Sequence, residues 1–241
     1  VDTIAQNLEA VQAIIAQTAR AAGREPGGIE LVAVSKTHPP ESIQQVIDCG
    51  HLLFGESRVQ EARAKIPVLP SKARWHFIGH LQKNKIRQAL PLFELFHGVD
   101  SLALAGDMNR IAAELGLFPK ILLEVNVAGE ASKYGFPPEK LRNELEALLA
   151  LDRLQIVGLM TIAPFAEEAE PSRKYFARLR ELRDELQTGF RVQLPHLSMG
   201  MSGDYIVAIQ EGATMVRIGT AIFGPRSAKA LRASDALSQG E

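Results

Sequence analysis

The stretch "IELVAVSKTHPPESIQQVIDCG" (residues 29–50) holds one strand-then-helix unit. Residues 29–36 are short, apolar and β-branched, and they follow the turn signal Pro26-Gly27-Gly28, so they read as a strand. Pro39 and Pro40 suit the first turn of a helix, and Gly50 suits its end. The strand leaves its apolar run at Ser35 and Lys36. A lysine at that point is either a solvated strand end or a group placed to react.

The same unit recurs along the chain. "LLFGES" (52–57) precedes a helix through Val59 and Ala62 that stops before Pro67. "RWHFIGH" (74–80) precedes "LQKNKIRQAL" (81–90), and "LFHGVDS" (95–101) precedes "LALAGDMNRIAAELG" (102–116). "KILLEVNV" (120–127) leads, after a loop, to "PPEKLRNELEALLAL" (137–151). "LQIVGLMTIA" (154–163) leads to a long helix with Tyr175, Phe176, Leu179, Leu182 and Leu186 on one face. "QLPHLSMG" (193–200) precedes "SGDYIVAIQEG" (202–212), and "MVRIGTAIFG" (215–224) comes last.

That makes eight strands, a helix after each of the first seven and a short one after the eighth. Each crossover returns the chain to the same end, so the strands are parallel. Eight such units in this length favour a closed (β/α)8 TIM barrel over an open doubly wound sheet. Residues 3–22 add an N-terminal helix, with Ile4, Leu8, Val11, Ile14, Ile15 and Thr18 at helical spacing. One domain is expected over residues 1–226, followed by a small, polar tail, 227–241, that frays or is disordered.

Composition narrows the function. A net charge of −1 gives no electrostatic footprint for nucleic acid or an anionic membrane. No run approaches the roughly 18 apolar residues of a membrane span, and no signal-peptide pattern opens the chain. The only cysteine, Cys49, allows neither an internal disulfide nor a multi-cysteine metal site, which suits the cytoplasm.

In such barrels the active site lies at the C-terminal ends of the strands. Lys36 ends strand 1. An amine that forms a Schiff base must be partly desolvated or near other positive groups. Taken alone, Lys36 fits a solvated lysine better. The segment "LSMGMSGDY" (197–205) ends strand 7 and opens a helix near Ser202-Gly203-Asp204, either as an anion site or with Ser202 as a simple N-cap. In "VRIGTAIFG" (216–224), Arg217 lies inside an apolar strand, on one face with Met215 and Gly219. It meets either a ligand or a barrel carboxylate such as Glu124. Gly219 and Thr220 can bring a backbone amide and a hydroxyl close to a phosphate, and phosphate sites in these barrels frequently form after strands 7 and 8. A lysine on strand 1 beside such a cradle fits a phosphorylated aldehyde, with pyridoxal 5′-phosphate the leading candidate.

The blocks "VAVSKTHP", "FGESRVQEA", "WHFIGHLQKNK", "VNVAGEASKYGF", "GLMTIAP", "LSMGMSGDY" and "VRIGTAIFG", in order over residues 3–226, resemble the pyridoxal-phosphate homeostasis family of YggS/PROSC type. That family is similar in fold to the N-terminal barrel of alanine racemase. The resemblance implies that Lys36 holds the cofactor as an internal aldimine. Ser202, Gly219 and Thr220 would bind its phosphate, Arg217 would lie against the pyridine nitrogen, and Ser198 and Gly200 would shape the same loop. Ser57 departs from the family, which commonly has asparagine there, so no contact is carried over to it.

Other residues read more plainly. His76 and His80 share a strand face without a third ligand, so no metal site is expected. His80 could line the mouth. His196 reads as a core or loop residue, Trp75 and Tyr205 as packing, and "KNKIR" (83–87) as a solvated face. Two functions remain open: a non-catalytic protein of vitamin B6 homeostasis that serves pyridoxal-phosphate-dependent apo-enzymes, and a pyridoxal-phosphate-dependent amino-acid racemase. The first is favoured. An arginine beside the ring nitrogen weakens the electron sink, and no second domain is expected to supply an opposing acid/base or a dimer contact. A cytoplasmic monomer is the corresponding expectation.

Overall fold

The computed structural model describes residues 3–130 and 133–225. Eight parallel strands close into a barrel in sequence order: β1 Glu30–Val34, β2 Leu53–Glu56, β3 Arg74–Phe77, β4 Leu95–Val99, β5 Lys120–Glu124, β6 Gln155–Met160, β7 His196–Ser198 and β8 Met215–Ile218. The seam pairs β1 with β8, with Val32 opposite Arg217. All eight strand readings and the (β/α)8 class are borne out.

The helices are α1 Ile4–Ala21, α2 Pro40–Asp48, α3 Val59–Lys65, α4 Ile86–Ala89, α5 Leu102–Leu115, α6 Pro138–Leu149, α7 Arg173–Phe190, α8 Tyr205–Gln210 and α9 Thr220–Phe223. Alternation along each strand sends one set of side chains outward into the main core against the helices. This set includes Leu31, Ala33, Phe96, Ile121, Leu123, Val216 and Ile218. The other set points inward, where Leu95, Leu122, Met160 and Met215 form a small separate cluster. Above it the interior turns polar, with His97, Ser198 and Arg217 all buried.

The extra helix has a structural task. The helix that follows β8, α9, is only four residues long, and α1 packs against α2, α8 and α9, covering the seam. Asn7 Nδ2 donates to the Ile222 carbonyl at 3.1 Å. A capping box between Thr3 and Gln6 starts α1.

Two boundaries differ from expectation. Residues 81–90 do not form one helix. A 3₁₀ turn over Lys83–Lys85 leads into the single turn of α4, which Pro91 leaves no room to extend. Two cations of the basic patch there pair with α5: Lys83 with Asp107, and Arg87 with Glu114. Helix α8 starts at Tyr205, with Asp204 in the N-cap position, later than Ser202. The tail 227–241 lies outside the described residues.

Candidate functional site

Lys36 is half-buried just beyond β1. It is the second residue of a turn closed by the His38 N–H, which donates to the Ser35 carbonyl at 3.1 Å. Thr37, the third residue, has φ +68°, a conformation that some tight turns demand there and that threonine rarely adopts. The end of β8 lies against this point. A Cβ on Gly219 would sit 3.2 Å from the Val34 carbonyl oxygen, so the loop carrying Thr220 runs beside the strand end that carries Lys36. His38 also stacks on Phe223, with ring centroids 4.8 Å apart.

The β7 and β8 loops meet each other as well. The Ala221 N–H donates to Ser202 Oγ at 3.4 Å. Ser202 is therefore not the N-cap of α8; its hydroxyl accepts from the first turn of α9. Asp204 holds the β7 loop instead, accepting from the Met201 N–H at 2.7 Å. Gly200 has φ +94°, and a Cβ there would approach Ala208 Cβ to 2.6 Å, so only glycine lets this loop fold onto α8. Helices α8 and α9 have six and four residues, too short for a strong summed dipole. The anion site expected from sequence at a helix start therefore has no long helix behind it.

Arg217 is 4% exposed. Its Nη1 donates to Ser198 Oγ at 2.5 Å and its Nη2 to the Thr161 carbonyl at 3.0 Å. Burial lowers its pKa to about 10, against the pull of Glu124 and Asp204, so it stays cationic near neutral pH. Its hydrogen bonds go to neutral groups. Glu124 acts on it through space and is not its hydrogen-bond partner. Ser198 Oγ also lies 2.8 Å from His97 Nδ1, and His97 Nε2 lies 3.0 Å from His76 Nδ1. Arginine can only donate, so the arrangement that uses every proton runs one way. Arg217 donates to Ser198, Ser198 to His97 Nδ1, and His97 Nε2–H to His76 Nδ1. Burial holds both imidazoles neutral, His76 at about 3 and His97 well below its ordinary value.

Across the mouth, a cavity of about 150 Å³ is lined by Glu124, Val125, Asn126, Lys133, Tyr134 and Ile162. Burial, with Asp100 adding to it, raises the Glu124 pKa to about 7. His80 pairs with Asp100 at 3.0 Å and stacks on Tyr134 at 3.9 Å between centroids. His76 and His80 are therefore committed to different neighbours. Trp75 and Tyr205 are buried in the core, and His196 is half-buried on β7.

The structure gathers Lys36, Gly200, Ser202, Gly219 and Thr220 at the β1, β7 and β8 ends, with Ser198 and Arg217 buried below them. Ser57 is half-buried beyond β2. Sequence reasoning missed His97, although alternation along β4 puts it on the inward face with Leu95. It also missed the buried Lys65, whose only signal is Glu61 four residues earlier on α3.

The alanine racemase N-terminal domain model matches residues 4–227, nearly the whole chain, and this is the class of barrel the geometry defines. Within that class the chain belongs to the pyridoxal phosphate homeostasis protein family. It is 45% identical over 222 residues to the pyridoxal phosphate homeostasis protein of Aquifex aeolicus, a match spanning 92% of this chain and 97% of that one. It is 45% identical over 228 residues to the protein of the same name from Pseudomonas aeruginosa, spanning 93% and 96%. Among solved structures, PipY of Synechococcus elongatus PCC7942 with PLP bound is 41% identical, with a TM-score of 0.82, over 92% of this chain and 100% of that one. Alanine racemase of Clostridium difficile 630 is 17% identical, with a TM-score of 0.68, over 88% and 56%, and shares the fold.

Proposed function

We propose that this protein binds pyridoxal 5′-phosphate at the barrel mouth and serves intracellular vitamin B6 homeostasis without robust catalytic activity. The observation that carries this is the contact of Gly219 with Val34, which sets the β8 loop beside the strand end bearing Lys36. The residues present fit the cofactor. The cradle offers the Ser202 and Thr220 hydroxyls and the Gly219 backbone to a phosphate, and Gly200 folds the β7 loop into place. When bound, the cofactor supplies an aldehyde that condenses with an amine, releasing water, and a ring that can withdraw electrons.

Lys36 would hold the cofactor through its amine. Arg217 would lie on the ring-nitrogen side, with Ser198 fixing its guanidinium. A cation there disfavours ring protonation and weakens the ring as an electron sink, which supports a carrier over a racemase. The proposal extends to a single functional domain over residues 1–226, a cytoplasmic setting, and a monomer that serves pyridoxal-phosphate-dependent apo-enzymes, with neither nucleic acid nor membrane as partner. Among the described residues, no helix is long and apolar enough to cross a membrane.

Borohydride reduction of the holo-protein followed by peptide mass spectrometry is expected to place the cofactor on Lys36 and to lose the label in Lys36→Ala. A label on another lysine overturns the assignment. Racemisation of free amino acids at ordinary enzymatic rates, abolished in Lys36→Ala, favours the racemase instead.

A further inference from the structure

Lys36 sits between two peptide groups, and one buried ion cluster holds both. The Ser35 carbonyl, on one side, accepts from Lys65 Nζ at 3.0 Å. The Thr37 N–H, on the other, donates to Glu61 Oε2 at 2.9 Å. Lys65 Nζ also donates to Glu56 Oε1 at 2.9 Å and to Glu61 Oε2 at 3.0 Å. The Ser35 hydroxyl donates to Glu56 Oε1 at 2.7 Å. Glu56 comes from β2, Glu61 and Lys65 from α3, and Ser35 and Thr37 flank Lys36.

Stability does not call for such a cluster. Glu56 is fully buried and Lys65 is 7% exposed. Glu56 Oε2 is buried without a hydrogen-bond partner. Burying charges is costly, and apolar side chains often serve packing as well or better. Thr37 meanwhile keeps its left-handed backbone, which persists only when the surroundings over-determine it. The ammonium of Lys65 has three protons and three acceptors, so it works as a strut and not as a nucleophile.

We propose that Lys65, with Glu56 and Glu61, is a positioning device for Lys36: it locks the turn on both sides of that residue and so aims the Lys36 amine at the bound aldehyde. This rests on Lys36 being the attachment point. The step served is addition of the neutral Lys36 amine to the aldehyde carbon. The carbon–oxygen bond is replaced by carbon–nitrogen, and both amine protons leave with the oxygen as water. Orientation of the amine contributes to this step and hardly at all to phosphate binding.

The test compares two ligands on the full chain: pyridoxal 5′-phosphate, and pyridoxine 5′-phosphate, which has an alcohol in place of the aldehyde. In Glu61→Gln and Lys65→Met, affinity for the alcohol is expected to stay within about twofold of wild type. Affinity for the aldehyde, and the rate at which borohydride-trappable adduct forms, are expected to fall about tenfold, as expected for lost preorganisation. Lys65→Arg is expected to recover part of the loss. Equal loss for both ligands means a purely structural role and overturns the proposal, as does unchanged aldehyde binding in the folded variants. Should Lys65→Met fail to fold, Glu61→Gln decides, since it keeps the shape and removes the charge. A wild-type adduct on a lysine other than Lys36 refutes the attachment point instead, a result separate from these.

Discussion

Ser198 shows how far a single hydroxyl reaches. It accepts from Arg217 and sits within hydrogen-bond distance of His97, so it joins a buried cation to a buried neutral pair. Replacing it with alanine leaves a charged donor and an imidazole nitrogen unsatisfied in the interior. Ser198→Ala is expected to destabilise the protein by about 2–4 kcal/mol, read as a lower urea midpoint at unchanged slope. A change under about 0.5 kcal/mol would show that the relay is not a structural unit. Lys36 and Arg217 were legible in the sequence because each is a cation in an apolar strand context. His97 and Lys65 were not. Their meaning comes from partners on other strands and helices: Ser198 lies 101 positions from His97.

At the scale of elements, the barrel is closed outside by a helix from the wrong end of the chain. Helix α9 cannot cover the β8–β1 seam, and α1 does so. The periodicity of α1 was plain in the sequence, but its docking site was not, because nothing local records which groove a helix will fill. The loop after β7 depends on a glycine. Gly200→Ala forces a Cβ toward Ala208 Cβ and within 2.9 Å of Tyr205 Cα while keeping φ at +94°. A loss of about 2 kcal/mol or more is expected, with weaker binding of pyridoxine 5′-phosphate as the cradle shifts. Thermal melting and titration check both, and a neutral melt would mean that the loop can relax.

The whole molecule carries opposed titrations. Burial, the largest cause in each case, lowers the pKa of His51, His76, His97 and His196. The unfolded chain therefore takes up protons below about pH 6.5 that the folded one refuses. Stability from these groups is full above that pH and is lost as pH falls, by about 1.4 kcal/mol per unit for each fully resistant histidine. Burial raises Glu56 and brings Glu124 to about 7. Folded protein keeps those protons above about pH 4.5, so this contribution falls as pH rises. Below about pH 6.5 the two sets oppose each other, and from there to the Glu124 pKa of about 7 only the carboxyl decline remains. Urea unfolding across pH is expected to show stability falling between about pH 6.5 and 7, and Glu124→Gln to flatten that fall. A wild-type profile still rising through pH 7.5 contradicts the assignment to Glu124.

The local order of residues was enough to determine the strand and helix repeat, the parallel barrel, the ends of strands where chemistry belongs, and Lys36 as the residue to explain. Short-range spacing carries these, since burial on both faces and turn chemistry are written within about ten residues. Tertiary structure alone decided that Ser202 meets the first turn of α9 and does not cap α8, that Arg217 donates to Ser198 and the Thr161 carbonyl and not to Glu124, and that a buried lysine on α3 grips the peptides around Lys36. Hydrogen bonds and desolvation act through space between elements that only closure of the barrel brings together.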